Sequence, residues 1–457
     1  MSALSSRTLP FISGSIMSIN FLLFWAVPIM GMGSIYKHLL KPFLQPIYLA
    51  LEQSKALRSF AAAHIYTKPE HADFFVMSAL VLLNCMISIS YVFYYQLVYG
   101  HLPAWLIAAY YCSWVGLGGS IMGSAYGLAH KEGHYYGLYQ KWLRVYVGHF
   151  FENCVGVFFG NVPWNFTTSH VYLHHRLDGG FGDSFYEWDL DRSSLSDFML
   201  YVHRVLFHMV GYSSLKLLPK SKADQLREGI RTYLLTLIGI LAVTRSFAFC
   251  FWIIIEPLLC MTYFLALINI GFHGFVEFDS AGQHVQCVNS STIIEGEDDL
   301  FGEDDHMAHH YNTSVYYRDL IALQKSKEQQ FAATRASVFR GLSIVELSIF
   351  IVLGLWDKLA DHYVDYTGQM SRQQVKDLLK ARAQRTETSY ERYQKFLRDP
   401  SEEARRLLQE ESMRARCDCS VAASSVPHTD TADTAEVCTA PTETKAAATE
   451  VSAAAAQ

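Results

Sequence analysis

Charged residues vanish from two long stretches of the chain and thin out in a third. Thr8 to Tyr36 runs 29 residues, and Phe74 to Ala129 runs 56, without one Lys, Arg, Asp or Glu; Thr232 to Ile268 carries only Arg245 and Glu256 over 37. A hydrocarbon core about 30 Å thick needs about 20 helical residues, so each block is long enough to cross it. In the first block Pro28, Gly31 and Gly33 predict a bend or frayed last turns, which leaves a helix lying in the interface as the alternative to a span. The second block breaks at Gly100-His101-Leu102-Pro103, a tight-turn sequence, and predicts two spans, Phe74 to Tyr99 and Ala104 to Ala129. The polar link from Lys37 to Asp73 holds Lys37, Lys41, Lys55, Arg58 and Lys68, a basic bias that marks the cytoplasmic side.

Elsewhere the pattern is mixed. Lys131 to Arg231 contains no span, and Gly156, Gly160, Pro163 and Asn165 break Phe151 to Ser169 into an expected interfacial helix and turn. Gly341 to Trp356, with Glu346 inside it, is too short to cross and reads as an interfacial or docking helix. Ser371 to Arg414 predicts a charged surface helix broken at Pro400, and from Ala422 the small polar composition predicts disorder. The expected fold is all-α: multi-pass membrane helices, four core spans plus an N-terminal span, beneath a cytoplasmic helical cap. The expected units are 1–73 (N-terminal helix and linker), 74–320 (catalytic region), 321–415 (interfacial and charged helices) and 416–457 (tail).

Composition fits this picture: 51% of residues are hydrophobic and 18% charged. A net charge of −6 gives no basic footprint for nucleic acid. The nine cysteines are odd in number and form no CxxC pair, so neither a disulfide framework nor a zinc ribbon is expected.

Histidine changes the picture most. Nine of the nineteen fall in four places: His130 and His134 in HKEGH; His170, His174 and His175 in HVYLHH; His273 in NIGFHG; His306, His309 and His310 in HMAHH. On α-helices these offsets put each group of imidazoles on one side. One such box is more often a set of satisfied interface histidines than a metal site, but four boxes beside apolar segments imply chelation. Nine ligands are too many for one ion and suit two. For all to meet, Thr232 to Ile268 must cross twice, turning near Arg245 or near Glu256-Pro257.

Taken together, HKEGH (130–134), HVYLHH (170–175), NIGFH (269–273) and HMAHH (306–310) resemble the membrane fatty acid desaturase and hydroxylase superfamily, over roughly residues 74–320. The resemblance implies two non-haem iron ions (Fe2+/Fe3+) at the cytoplasmic face of a multi-pass protein of the endoplasmic reticulum. It implies His130, His134, His170, His174, His175, His273, His306, His309 and His310 as ligands, with Asn269 completing the site through a bound water. It further implies O2 activation and hydrogen abstraction from an acyl lipid, ending in a double bond or, with oxygen returned, in an alcohol. The chain has no HPGG segment of the kind found in a fused cytochrome b5 domain, so the expected electron donor is a separate protein such as cytochrome b5 with its reductase. The second box departs from the pattern of many acyl-CoA enzymes, with three residues rather than two before its His-His pair, which puts the acyl carrier in doubt.

A histidine-rich metal transporter is the competing reading from another class; it would want ligands inside the spans, whereas these flank them. Asp178, Asp183, Glu187, Asp304 and Asp305 are candidates for orienting ligand imidazoles. Trp164 and Tyr172 are candidates for lining an acyl channel, and His149, His203, His208 and His284 are expected at ordinary surface or interface positions.

Overall fold

The computed structural model describes residues 3–116, 120–135, 137–296, 299–400 and 402–410; the tail predicted over 416–457 lies outside them. Helices dominate. Among the described residues the named strands are Thr292–Ile294 and Val338–Arg340, a short parallel pair.

Among the described residues, three helices are long and apolar enough to cross a membrane: Ser6–Glu52, Pro69–Tyr99 and Phe247–His273. The expected span from Ala104 to Ala129 is instead divided. Helix Ala104–Val115 stops at Gly116, whose φ of 62° only glycine adopts freely, and a second helix, Ser120–His134, follows. The turn within Thr232 to Ile268 falls at Arg245, which sits in the left-handed region and ends helix Lys220–Thr244. Glu256-Pro257 stays inside the helix that follows.

The N-terminal helix also runs further than its prolines and glycines predict, passing through Pro28 and on to Glu52, so the first half of the expected polar link is helical. The backbone explains this. Wide π-type turns at Leu22–Ala26, Tyr36–Leu40 and Phe251–Ile255 stand immediately before Val27-Pro28, Lys41-Pro42 and Glu256-Pro257. A proline ring clashes with the carbonyl four residues back, and a turn widened by one residue moves that carbonyl aside.

The Phe247–His273 helix is the axis of the molecule. Against it packs the short apolar helix Ile344–Val352, which docks rather than floats: a Cβ on Gly271 would lie 2.4 Å from Ser348 Oγ. On another side lie helix Leu195–Met209 and the N-terminal helix, pinned by Asn20 Nδ2, which donates to Glu256 Oε1 at 2.7 Å, and by Trp25 Nε1, which donates to Glu256 Oε2. Beyond it, the segment predicted as one charged surface helix forms Arg372–Gln384 and Tyr390–Arg398, interrupted at 385–389 as well as at Pro400. Its apolar face is not at the surface. Tyr393, Phe396, Ala404 and Leu408 are buried with Leu173, Leu177, Tyr186 and Trp188.

Candidate metal centre

The nine box histidines converge, and they do so as two groups. Nitrogens of His130, His134, His170, His175 and His309 lie within 4.8 Å of one another, and those of His174, His273, His306 and His310 form a second set with the same spread. The groups are neighbours, with the His175 and His310 rings 4.3 Å apart.

Helix type decides this partition. His130 and His134 lie four apart on α-helix Ser120–His134 and share the first group, while His306 and His310, four apart on His306–Tyr311, share the second and leave His309 to the first. The second box lies on a π-type helix, Phe166–His174, that runs into His175. There residues five apart stack, so His170 and His175 meet in one group and His174 turns to the other. The expectation that this box presents all three imidazoles on one α-helical face is therefore corrected. Just before this helix, the Trp164 carbonyl accepts both the Thr168 hydroxyl at 2.7 Å and the Thr168 amide at 3.0 Å. Buried Glu152 anchors the helix start, accepting the Thr167 amide at 2.9 Å and its hydroxyl at 2.7 Å.

The far nitrogens of four of these histidines face acceptors. His174 Nδ1 lies 2.6 Å from Asp183 Oδ2, His310 Nδ1 lies 2.7 Å from Asp178 Oδ1, and His130 Nδ1 lies 2.8 Å from Glu303 Oε1. His273 Nδ1 donates to the Asn289 carbonyl at 3.0 Å. A ring whose Nδ1 carries the hydrogen has a bare lone pair on Nε2. Nε2 atoms then face one another closely, His130 to His170 at 2.8 Å, His170 to His175 at 2.9 Å and His273 to His306 at 2.9 Å. Lone pairs crowded together in a buried pocket fit a bound cation, and nine neutral imidazoles fit two borderline transition-metal ions.

Electrostatics agree with this donor set at eight of the nine rings; at His174 burial works downward, but the charge and hydrogen bond of Asp183 outweigh it and raise the ring above its usual range. Burial pushes His170, His175, His306 and His309 well below the usual histidine range, which keeps them neutral and able to ligate. Burial works to raise Glu303, but the charges and hydrogen bonds of His130 and Lys131 hold it at about 2. Burial likewise opposes ionisation of Asp183, and the partnership with His174 outweighs it, leaving the carboxyl below its usual range.

Several expectations need correction here. Asn269 lines the cavity beside both groups, and its Nδ2 donates to Tyr201 Oη at 2.7 Å and to Glu187 Oε2 at 3.3 Å, so Glu187 meets Asn269 instead of an imidazole. Asp305 enters through its backbone carbonyl, which accepts the His309 amide at 2.9 Å, and Asp304 lines the adjoining cavity. That cavity, about 130 Å³, is bounded by Tyr126, Phe185, Phe264, Leu265 and Phe272 and by ligands from both groups. Trp164 and Tyr172 do not line it. Trp164 packs on His149, and Tyr172 lies 3.9 Å beneath the Arg176 guanidinium. His149 and His284 pair with Glu152 and Glu387, whereas His208, expected near the surface, is buried against Ser184 and Phe185.

Sequence reading missed Glu303, Lys131 and the Asn289 carbonyl. A signal existed for Glu303, one acid among several but three residues before His306; nothing marked a backbone carbonyl sixteen residues past His273. No protein-family model, curated protein or solved structure matches this chain.

Proposed function

We propose that this chain is a membrane-bound, O2-dependent diiron enzyme that introduces a double bond into the acyl chain of a lipid. The observation that carries the reading is the pair of adjacent histidine groups opening on an apolar cavity. Two bound iron ions would supply the oxygen activation needed to break an unactivated C–H bond, which side chains cannot do alone. His130, His134, His170, His175 and His309 would hold one ion and His174, His273, His306 and His310 the other. Asp178, Asp183 and Glu303 fix ring orientation and tautomer. Tyr126, Phe185, Phe264, Leu265 and Phe272 offer an aliphatic segment a dry contact surface and keep water from competing for it. The reading extends to a multi-pass protein of the endoplasmic reticulum, its site facing the cytoplasm and its electrons coming from a separate carrier such as cytochrome b5.

The test is expression in a heterologous host followed by mass spectrometry of its lipids. A new acyl species lighter by two hydrogens is expected, dependent on iron and O2 and absent with His273→Ala. A species heavier by one oxygen would make the chain a hydroxylase on the same site, and unchanged lipids alongside iron-loaded protein would overturn the proposal. Purified protein that holds zinc and no iron would favour a metal transporter.

A further inference from the structure

The two histidine groups differ in what surrounds them. In the group of four, two rings are braced from behind by hydrogen bonds, His174 by Asp183 and His273 by the Asn289 carbonyl, and a third, His310, by the charge of Asp178, whose Oδ1 lies 2.7 Å from its Nδ1 without hydrogen-bond geometry. Both carboxylates are themselves held. Asp183 accepts the Phe185 amide at 2.8 Å and the Gly179 amide at 3.1 Å, and Asp178 accepts the Ser290 hydroxyl at 3.0 Å. In the group of five, among the described residues, only His130 has such a brace, and its carboxylate, Glu303, is shared with the buried ammonium of Lys131 at 2.9 Å. Among the described residues the buried His175 Nδ1 has neither a hydrogen bond nor a carboxylate beside it.

We infer that the two metal positions are unequal, the His174/His273/His306/His310 position filling first and holding its ion at least tenfold more tightly. This rests on the metal-centre reading above and deepens it. Two effects act together. Braced rings lose less freedom on binding and are more basic ligands; removing such a brace costs about 10–100-fold in metal affinity. Charge adds to this, because Asp178 and Asp183 bring two negative charges to the group of four, whereas Lys131 offsets the single carboxylate serving the group of five. The extra imidazole of the larger group works in the opposite direction. A fifth neutral donor adds little to an ion that four imidazoles already satisfy, while the two carboxylates act on the whole charge of the ion.

The test uses the full chain purified in detergent, stripped with a chelator and titrated with Co2+, read by visible absorption and by cobalt retained per chain. Two steps are expected. His273→Ala should remove the tight one and His175→Ala the loose one. Asp183→Asn should weaken the tight step about 10–100-fold and spare the loose one; Asp178→Asn does the same duty should the first variant fail to fold. Lys131→Met should tighten the loose step. Two equivalents bound in a single step, loss of the tight step in His175→Ala, or equal weakening of both steps by Asp183→Asn would each overturn the inference. An intact chain that takes up no cobalt would overturn the metal centre itself, a separate outcome.

Discussion

The N-terminal helix Ser6–Glu52 and the helix Phe247–His273 are both apolar enough to cross a membrane, yet they have opposite roles. In its most apolar stretch the first is 22% buried, and Leu23, Val27, Met30, Leu39 and Phe43 are exposed along its length; the second is 61% buried. At about 1.5 Å per residue the 47-residue N-terminal helix is roughly 70 Å long, more than twice the thickness of a hydrocarbon core. The 27-residue helix, about 40 Å long, exceeds that thickness by only about two turns and carries Glu256, Asn269 and His273, all buried. Apolarity thus says that a helix avoids water. Buried polar groups say which helix the protein is built around, because each must find a partner there.

The contrast can be broken or sharpened by mutation. The largest effect belongs to His273→Ala. It removes a ligand rather than a brace, so the loss of metal-dependent product should exceed about 100-fold, read by lipid mass spectrometry. Glu256→Ala comes next. It strands the Asn20 and Trp25 donors inside the bundle and should cost about 2–4 kcal/mol, seen as a lowered unfolding temperature in detergent and as release of the N-terminal helix to protease. Glu256→Gln, which keeps an acceptor, should recover part of that loss.

Glycines give a smaller and cleaner comparison. Gly271→Ala drives a Cβ into Ser348 and Ile344 and should destabilise by about 1–3 kcal/mol, whereas Gly33→Ala meets nothing within 4 Å and should be neutral or stabilising by up to about 1 kcal/mol. Equal shifts in unfolding temperature for the two variants would contradict the assignment of one helix to the core and the other to the periphery. Smallest of all, Met30→Ala or Leu39→Ala on the exposed face should stay within about 0.5 kcal/mol.

Much of the site was legible because its residue types are rare and clustered. HKEGH, HVYLHH and HMAHH together mark candidate ligands whatever the fold, and His273 stands out as a histidine ending an apolar run. The amide partners of Asn269 were not legible. Its spacing from His273 fits a shared face and it lines the cavity there, but Tyr201 and Glu187, both remote in sequence, take its Nδ2. Pro28 was over-read, since its effect depends on whether the preceding turn can widen. The break at Gly116 lay hidden inside an uninterrupted apolar block, where hydropathy has no contrast to display.

By itself, then, the sequence determined that this chain has three long apolar blocks and nine histidines fit to ligate, because hydropathy and imidazole chemistry belong to residues. Only the tertiary structure decided how those histidines divide five and four, since that follows from the π register of Phe166–His174, whose start Glu152 holds through Thr167. It also decided which apolar helix is core, because burial is a property of a residue's neighbours.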